Sequence, residues 1–371
     1  MIRLSLLQFR VQVITAVTAL AAFAVLLAAT GPHLARLYGA SGLTGCQPAS
    51  CAHLASNFLQ QLYAVGTYWV LYLLGVMLIL LTPAVIGLFW GAPLIARELE
   101  TGTSALAWSQ SVTRTRWLAV KLTVGGLAAM AVTEGLSLLQ AWWAAPISRA
   151  VGLGGSGTSL AMNQFSPLVF VTHGITPLGY AAFAFTLGVT AGALIQRTVP
   201  AMAVTLVLFA AVQIAMPLWI RPNLFTPNHT TVAIGRDISF SNNTQGNFTL
   251  ATGSLAGQLG AWILSSGAVD AAGHPVSTAP SACTQAMVNG AGPSGLHCLH
   301  CLHCLASHGI RIAVTYQPAS RYWAFEWTET GIYLAAPWPW PGTASGGSAA
   351  ASPEGPSEEK PPLSPFSPAP H

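Results

Sequence analysis

Five blocks of about twenty almost uninterrupted apolar residues punctuate this chain, at 11–30, 67–90, 122–145, 175–195 and 199–220. At 1.5 Å per residue, a helix of that length matches the roughly 30 Å hydrocarbon core of a bilayer. A water-soluble domain does not hold such blocks, because a packed helix there needs only an apolar stripe. With 53% hydrophobic and 6% charged residues, the chain reads as an all-α polytopic membrane protein. Five transmembrane helices are expected.

Arg3 and Arg10 precede the first block. Its length exceeds the roughly 7–15 apolar residues of a secretory leader, which favours an uncleaved span. The segment after it is rich in turn formers and carries Cys46 and Cys51, expected to pair in their own loop on an oxidising face. The third block ends in AWWAAP, where Trp142 and Trp143 suit an interfacial belt and Pro146 would stop the helix. The fourth and fifth blocks are separated only by a tight turn at Gln196 and Arg197.

The first 220 residues therefore read as a membrane bundle with a charged segment, 93–121, at one face. Between Ala96 and Lys121 lie Arg97, Glu98, Glu100, Arg114, Arg116 and Lys121, while both flanks are nearly uncharged. Leu94, Ile95 and Leu99 share one side of a short helix there, expected to lie on the membrane surface and to end at Gly102, with Arg97 and Glu100 pairing at i, i+3. Thr113 is placed to cap the third span, and Arg116 and Lys121 to snorkel toward headgroups. Glutamates are out of place at a surface of anionic lipid, so the segment reads as a docking site for a protein partner.

If the N-terminus is cytoplasmic, the inner segments hold seven basic residues, Arg3, Arg10, Arg97, Arg114, Arg116, Lys121 and Arg197. The short outer loops hold two, Arg36 and Arg149. The positive-inside rule then puts 93–121 in the cytosol of a multi-pass cell-membrane protein. No basic patch is interleaved with aromatics, so nucleic acid is not an expected partner.

Residues 221–330, rich in Gly, Ser, Thr, Asn and Pro, read as a mixed, β-rich extracytoplasmic loop domain whose strands the periodicity does not place. Within it, LHCLHCLHCL offers His297, Cys298, His300, Cys301, His303 and Cys304 as thiol and imidazole ligands. A threefold copy of one tripeptide fits a repeat expansion better than four ligands converging from different parts of a fold. Cys283 is expected to form a disulfide with one of the three repeat cysteines. The segment from Arg321 to Ala336 begins like another span, but its apolar run is far short of the ~20 residues required. Ten prolines in the thirty-five residues that follow make 337–371 a disordered tail, so this is the stub of a sixth helix.

Chemistry-bearing motifs are sparse. No GxxxxGK[ST] loop is present to cradle nucleotide phosphates, and no HExxH or GxSxG pattern appears. One ionisable residue lies deep in a span: Glu134, about 20 Å along its helix from Lys121. An intramembrane carboxylate is either a substrate or proton contact or a protonated group bonded to a neighbouring helix. Gly87xxxGly91 and Gly188xxxGly192 are small-residue patterns of the kind that let helices approach closely, within a bundle or a dimer.

The stretch ARELETGTSALAWSQSVTRTRWLAVKL resembles the segment after the second span in permease subunits of ABC transporters of the type-2 export class, especially an actinobacterial group. The likeness extends to AWWAAPISR, to FAFTLGVTAGALIQRTVPAMAVTL and to YQPASRYWAFEWTETGIY. It implies a transport subunit rather than an enzyme, binding no cofactor, with ATP used by a separate cytosolic ATP-binding subunit. It implies a second permease subunit beside this one in the bilayer. Arg97, Glu98, Glu100, Gly102, Thr103, Arg114 and Lys121 would then form the ATPase-coupling surface. Members of that class continue from the Glu-Thr-Gly stretch into a sixth span, where this chain has its proline-rich tail. Two rivals are a membrane anchor sensing metal through its His/Cys loop, and an intramembrane enzyme built on Glu134, for which no second reactive group is found.

Overall fold

The computed structural model of the protein describes residues 2–46, 48–100, 114–156, 158, 160, 162–234, 238–242, 248–252, 260–283 and 299–336. Side chains at 2–10, 48–50, 98–99, 114–118, 239–242, 251 and 299–300 lie outside the description. The described residues belong to one compact unit, 1–337.

Among the described residues, five helices are long and apolar enough to cross a membrane: Val11–Ala40, Thr67–Arg97, Ala119–Gly152, Thr176–Ile195 and Thr198–Asn223. Each coincides with one of the five apolar blocks to within one residue at the start or covers it whole. In regular secondary structure they belong to α1 (Ile2–Ala40), α3 (Thr67–Ile86), α4 (Ala92–Glu100), α5 (Arg114–Gly152), α6 (Thr176–Ile195) and α7 (Thr198–Ala215). Between α1 and α3 the chain forms a further helix, α2 (Pro48–Val65), where the sequence reads only as a loop to residue 54.

The bundle is arranged around α6. Its neighbours include α3, α4, α5 and α7. Burial reaches 61% of its apolar window, against 11% for α1. Size is the reason: Gly179, Ala181, Ala184, Gly188, Ala191 and Gly192 are all buried and leave room for other backbones. Val11, Ile14, Val17 and Val25 of α1 are instead exposed, as lipid-facing residues are.

Two details of the third span differ from expectation. Pro146 does not end α5, which runs on to Gly152. An interior proline costs about 3 kcal/mol, and burial of Ile147 and Ala150 just beyond it offsets that cost. Of the two tryptophans only Trp142 faces outward. Trp143 is buried, its indole N–H donating to Thr30 Oγ1 at 2.9 Å, so it joins α5 to α1. The hydroxyl offers an acceptor that a lipid-facing indole would have to find in a headgroup.

Beyond the fifth span the described residues form five strands: β1 (Asn228–Ala233), β2 (Ile238–Asn242), β3 (Phe248–Thr252), β4 (Trp262–Val269) and β5 (Arg311–Gln317). β5 is the centre of an antiparallel sheet in the order β1-β5-β4, and β2 pairs with β3. Ile312, Val314 and Tyr316 alternate along β5 and point into one core with Ile238, Phe248, Leu250 and Leu305. Leu305 comes from a short helix, α8 (Leu299–Ser307), which crosses the region of the His/Cys run. After β5, Ala319–Arg321 turns the chain into α9 (Tyr322–Ala335), which packs on α6. At 14 residues α9 spans about 21 Å, short of a full crossing. The tail, 337–371, lies outside the described residues.

Candidate functional site

Two places concentrate polar chemistry, and they lie at opposite ends of α6. At its C-terminal end sits α4. It continues the second span through a π-helical turn, Gly87–Gly91, and packs against both α6 and α7. The expected surface helix is therefore an extension of the bundle, held by small residues. A Cβ on Gly91 would come within 2.6 Å of the Phe185 carbonyl, and one on Gly87 within 2.7 Å of the Ala184 carbonyl. From the other side, a Cβ on Gly188 would strike the Gly87 carbonyl, and one on Gly192 the Ala92 carbonyl. The two Gly-xxx-Gly patterns thus meet each other inside one chain. A π turn is what a helix adopts when an extra residue must be fitted without breaking the backbone ladder.

Glu100 closes this corner. Its Oε1 accepts the Thr198 backbone N–H at 2.9 Å and its Oε2 the Thr198 hydroxyl at 2.6 Å. A carboxylate at the first turn of α7 satisfies donors the helix leaves open and favours the positive end of its dipole. These two bonds hold the Glu100 carboxyl below its ordinary range. Both oxygens are thus used by Thr198, where the sequence pairs them with Arg97, an exposed residue three positions back. Gln196, at φ 57°, makes the left-handed turn that brings Thr198 round to this position. Lys121 is buried, at 4% exposure, rather than extended toward headgroups. The side chains of Glu98 and Arg114, together with Gly102, Thr103 and Thr113, lie outside the described residues.

The second place is at the N-terminal end of α6 and has no counterpart in the sequence reading. Glu329 of α9 is fully buried and takes Arg221, equally buried, in a two-point ion pair: Nε to Oε2 at 2.8 Å and Nη2 to Oε1 at 3.0 Å. The Tyr180 hydroxyl of α6 donates to the same Oε1. The guanidinium also lies 3.9 Å over the Phe170 ring. One turn earlier on α9, Glu326 caps α6: its Oε2 accepts the backbone N–H groups of Ile175 and Thr176 and the Thr176 hydroxyl, at 2.9, 3.0 and 2.6 Å. Gly174, at φ +68°, has to be glycine, since a Cβ there would overlap that carboxylate. Next to this cluster an aromatic group of Phe165, Phe170, Phe225, Trp262, Tyr322 and Phe325 joins the sheet to the helices. His173 has Nδ1 2.9 Å from the Val169 carbonyl, and burial pushes its pKa down. The sequence alone places Arg221 at the head of a loop and Glu329 108 residues away, and nothing local connects them. The sole prior signal is that two glutamates fall inside a strongly apolar run, where an isolated charge is costly.

The remaining candidates are more scattered. Glu134 is half-buried in the third span, with Oε2 making no hydrogen bond. Cys46 and Cys51 are joined by a disulfide, as are Cys283 and Cys304. Cys301 is buried and is also disulfide-bonded. His303 is exposed on α8, while His297, Cys298 and the His300 side chain lie outside the description. A disulfide sulfur carries no charge and does not serve as the thiolate ligand a metal site of the Leu-His-Cys run needs.

No curated protein sequence and no solved structure matches this chain. A family model described as ABC-2 membrane transporter related matches residues 17–221.

Proposed function

The chain belongs to the ABC-2 membrane transporter related family, and from that premise we propose that it is the membrane-spanning subunit of an ATP-driven exporter, coupled to ATP hydrolysis on a separate subunit. The five apolar helices among the described residues supply a membrane bundle for such a subunit. The observation that carries the proposal is the seating of α4. Its backbone is locked to α6 through Gly87, Gly91, Gly188 and Gly192, and its end is tied to α7 by Glu100. A push on α4 therefore displaces the central helix of the bundle rather than bending a loose hairpin.

In this reading 93–121 faces the cytosol, as the distribution of basic residues favours, and meets a cleft of the ATPase subunit. Glu98, Gly102, Thr103 and Arg114 are docking contacts, with Arg97 exposed beside them, while Lys121, which is buried, supports the segment from within. Glu100 has a different part: bonded to Thr198, it passes the displacement to α7. ATP is bound by the partner alone, and a second permease subunit, of the same or another sequence, completes the path across the bilayer. The final span of the actinobacterial group is replaced here by the proline-rich tail.

Co-expression with the ATPase subunit encoded nearest this gene tests the proposal. The two chains are expected to co-purify in detergent, with ATP turnover above that of the ATPase alone and lost on Glu98→Lys. Failure of every neighbouring ATPase to co-purify or respond would overturn the reading.

A further inference from the structure

Among the described residues of the strand-bearing region, one group of metal-competent side chains joins a single cysteine of the Leu-His-Cys run to two residues outside it. Cys283, Cys304 and His308 bring Sγ, Sγ and Nδ1 to within 4.8 Å of one another. Cys283 ends a short turn at 281–283, with its N–H on the Pro280 carbonyl. Cys304 and His308 are four residues apart, on the same face of α8 and its C-terminal turn. His308 Nδ1 stands 3.7 Å from the Cys283 sulfur and 3.9 Å from the Cys304 sulfur. In a tetrahedral site with metal–sulfur bonds of ~2.3 Å and metal–nitrogen bonds of ~2.0–2.1 Å, sulfur and nitrogen ligands lie ~3.6 Å apart. Two of the three edges of a ligand triangle therefore already have nearly their final lengths. Burial is graded across the group: Cys283 is fully buried, Cys304 half-buried and His308 exposed. A cation held there would have two anchored ligands and one side open to water.

We propose that reduction of the Cys283–Cys304 disulfide turns this corner into a binding site for a borderline-soft d10 cation such as Zn2+, with Cys283, Cys304 and His308 as its three protein ligands. A dithiol reductant supplies two electrons and two protons and is itself oxidised to a disulfide. The sulfur–sulfur bond breaks and two thiols form. The incoming cation displaces both thiol protons, and the sulfurs settle at the ~3.8 Å spacing of a tetrahedral pair. His308 gives up the contact of Nδ1 with the Cys304 carbonyl, 2.9 Å away, and carries its proton on Nε2. The fourth position, on the exposed side, is taken by water or another ligand. In the oxidised form the sulfurs bond each other and the site is closed. The domain thus offers a ligand site gated by redox state, independent of any coupling to an ATPase.

The test uses the full chain in detergent, titrated anaerobically with Co2+ as a spectroscopic stand-in, before and after treatment with a dithiol that is then removed. One Co2+ per chain is expected after reduction, with a thiolate-to-metal charge-transfer band that Zn2+ abolishes, and none before it. Cys283→Ser should eliminate the band. His308→Ala, which leaves the disulfide and so the oxidised fold intact, should weaken binding by about tenfold or more. Absence of the band in the reduced protein overturns the proposal. So does full binding in both variants, which would assign the ligands to the Leu-His-Cys run.

Discussion

Replacing Arg221 by Met should be the most damaging single change in the molecule. The substitution keeps an unbranched side chain of similar length but leaves Glu329 fully buried with only the Tyr180 hydroxyl to offset its charge. Two charge-assisted hydrogen bonds, at 2.8 and 3.0 Å, are lost with the cation. Removing one partner of a buried ion pair costs about 3–5 kcal/mol, because an uncompensated charge remains. Against a total stability on the order of 5–15 kcal/mol, that is a third or more. The assay is SDS-driven unfolding of the detergent-solubilised protein, followed by loss of helical circular dichroism. The double variant Arg221→Met/Glu329→Leu should recover much of the loss, since neither charge then has to be desolvated, although Tyr180 is left without its acceptor at about 1–3 kcal/mol. Adding Tyr180→Phe should remove that residue of cost. A thermodynamic cycle of these variants should give a coupling of at least ~2 kcal/mol between positions 221 and 329. A single-variant cost below ~1 kcal/mol, or strict additivity, would refute the assignment of α9 docking to this pair.

Other outcomes follow from the same contacts. Gly188→Ala puts a methyl group against the Gly87 carbonyl and 2.8 Å from the Ala92 nitrogen, both backbone atoms, so α4 and α6 must separate at a cost of about 1–3 kcal/mol in the same unfolding assay. In Glu100→Gln, the Thr198 amide should exchange hydrogen faster than in the parent protein at neutral pH. In the parent the stabilisation from this carboxylate is full above about pH 4.5, the unfolded value, and fades as pH falls through the lowered folded value, so the two proteins should converge in acid. His173 is kept neutral by burial, so its contribution is present above about pH 6.5 and is lost as pH falls, when the unfolded chain takes up a proton more readily. His173→Gln should flatten the dependence of unfolding on pH below about 6.5, and an unchanged slope would contradict the burial of this ring.

The apolar blocks located the five helices, among the described residues, that are long and apolar enough to cross a membrane, because the bilayer imposes a length on each span that one sequence window can display. The Gly-xxx-Gly patterns were legible for a related reason: a glycine with no Cβ in the middle of a helix is conspicuous wherever it occurs. Loop composition also distinguished the strand-bearing region, though not its strands, since register depends on partners such as β5 that arrive 80 residues after β1. Trp143 and Pro146 misled for one cause. Their local statistics describe a helix end in an interface, whereas α1 and the packing of Ile147 and Ala150 give them an interior. Glu100 was visible as a charged residue at the right place, but its partner depends on where the turn at Gln196 delivers α7.

What the sequence determined by itself was a bundle of five apolar helices, a charged segment after the second and a strand-forming region after the fifth. Each of these follows from solvent preference, which is a property of residues taken singly or in short runs. Tertiary structure alone decided how the charges in apolar surroundings are neutralised. Arg221, Tyr180, Glu326 and Glu329 come from three separate elements and mean little apart, because the energy of a buried charge lies in its partners and not in its own neighbours along the chain.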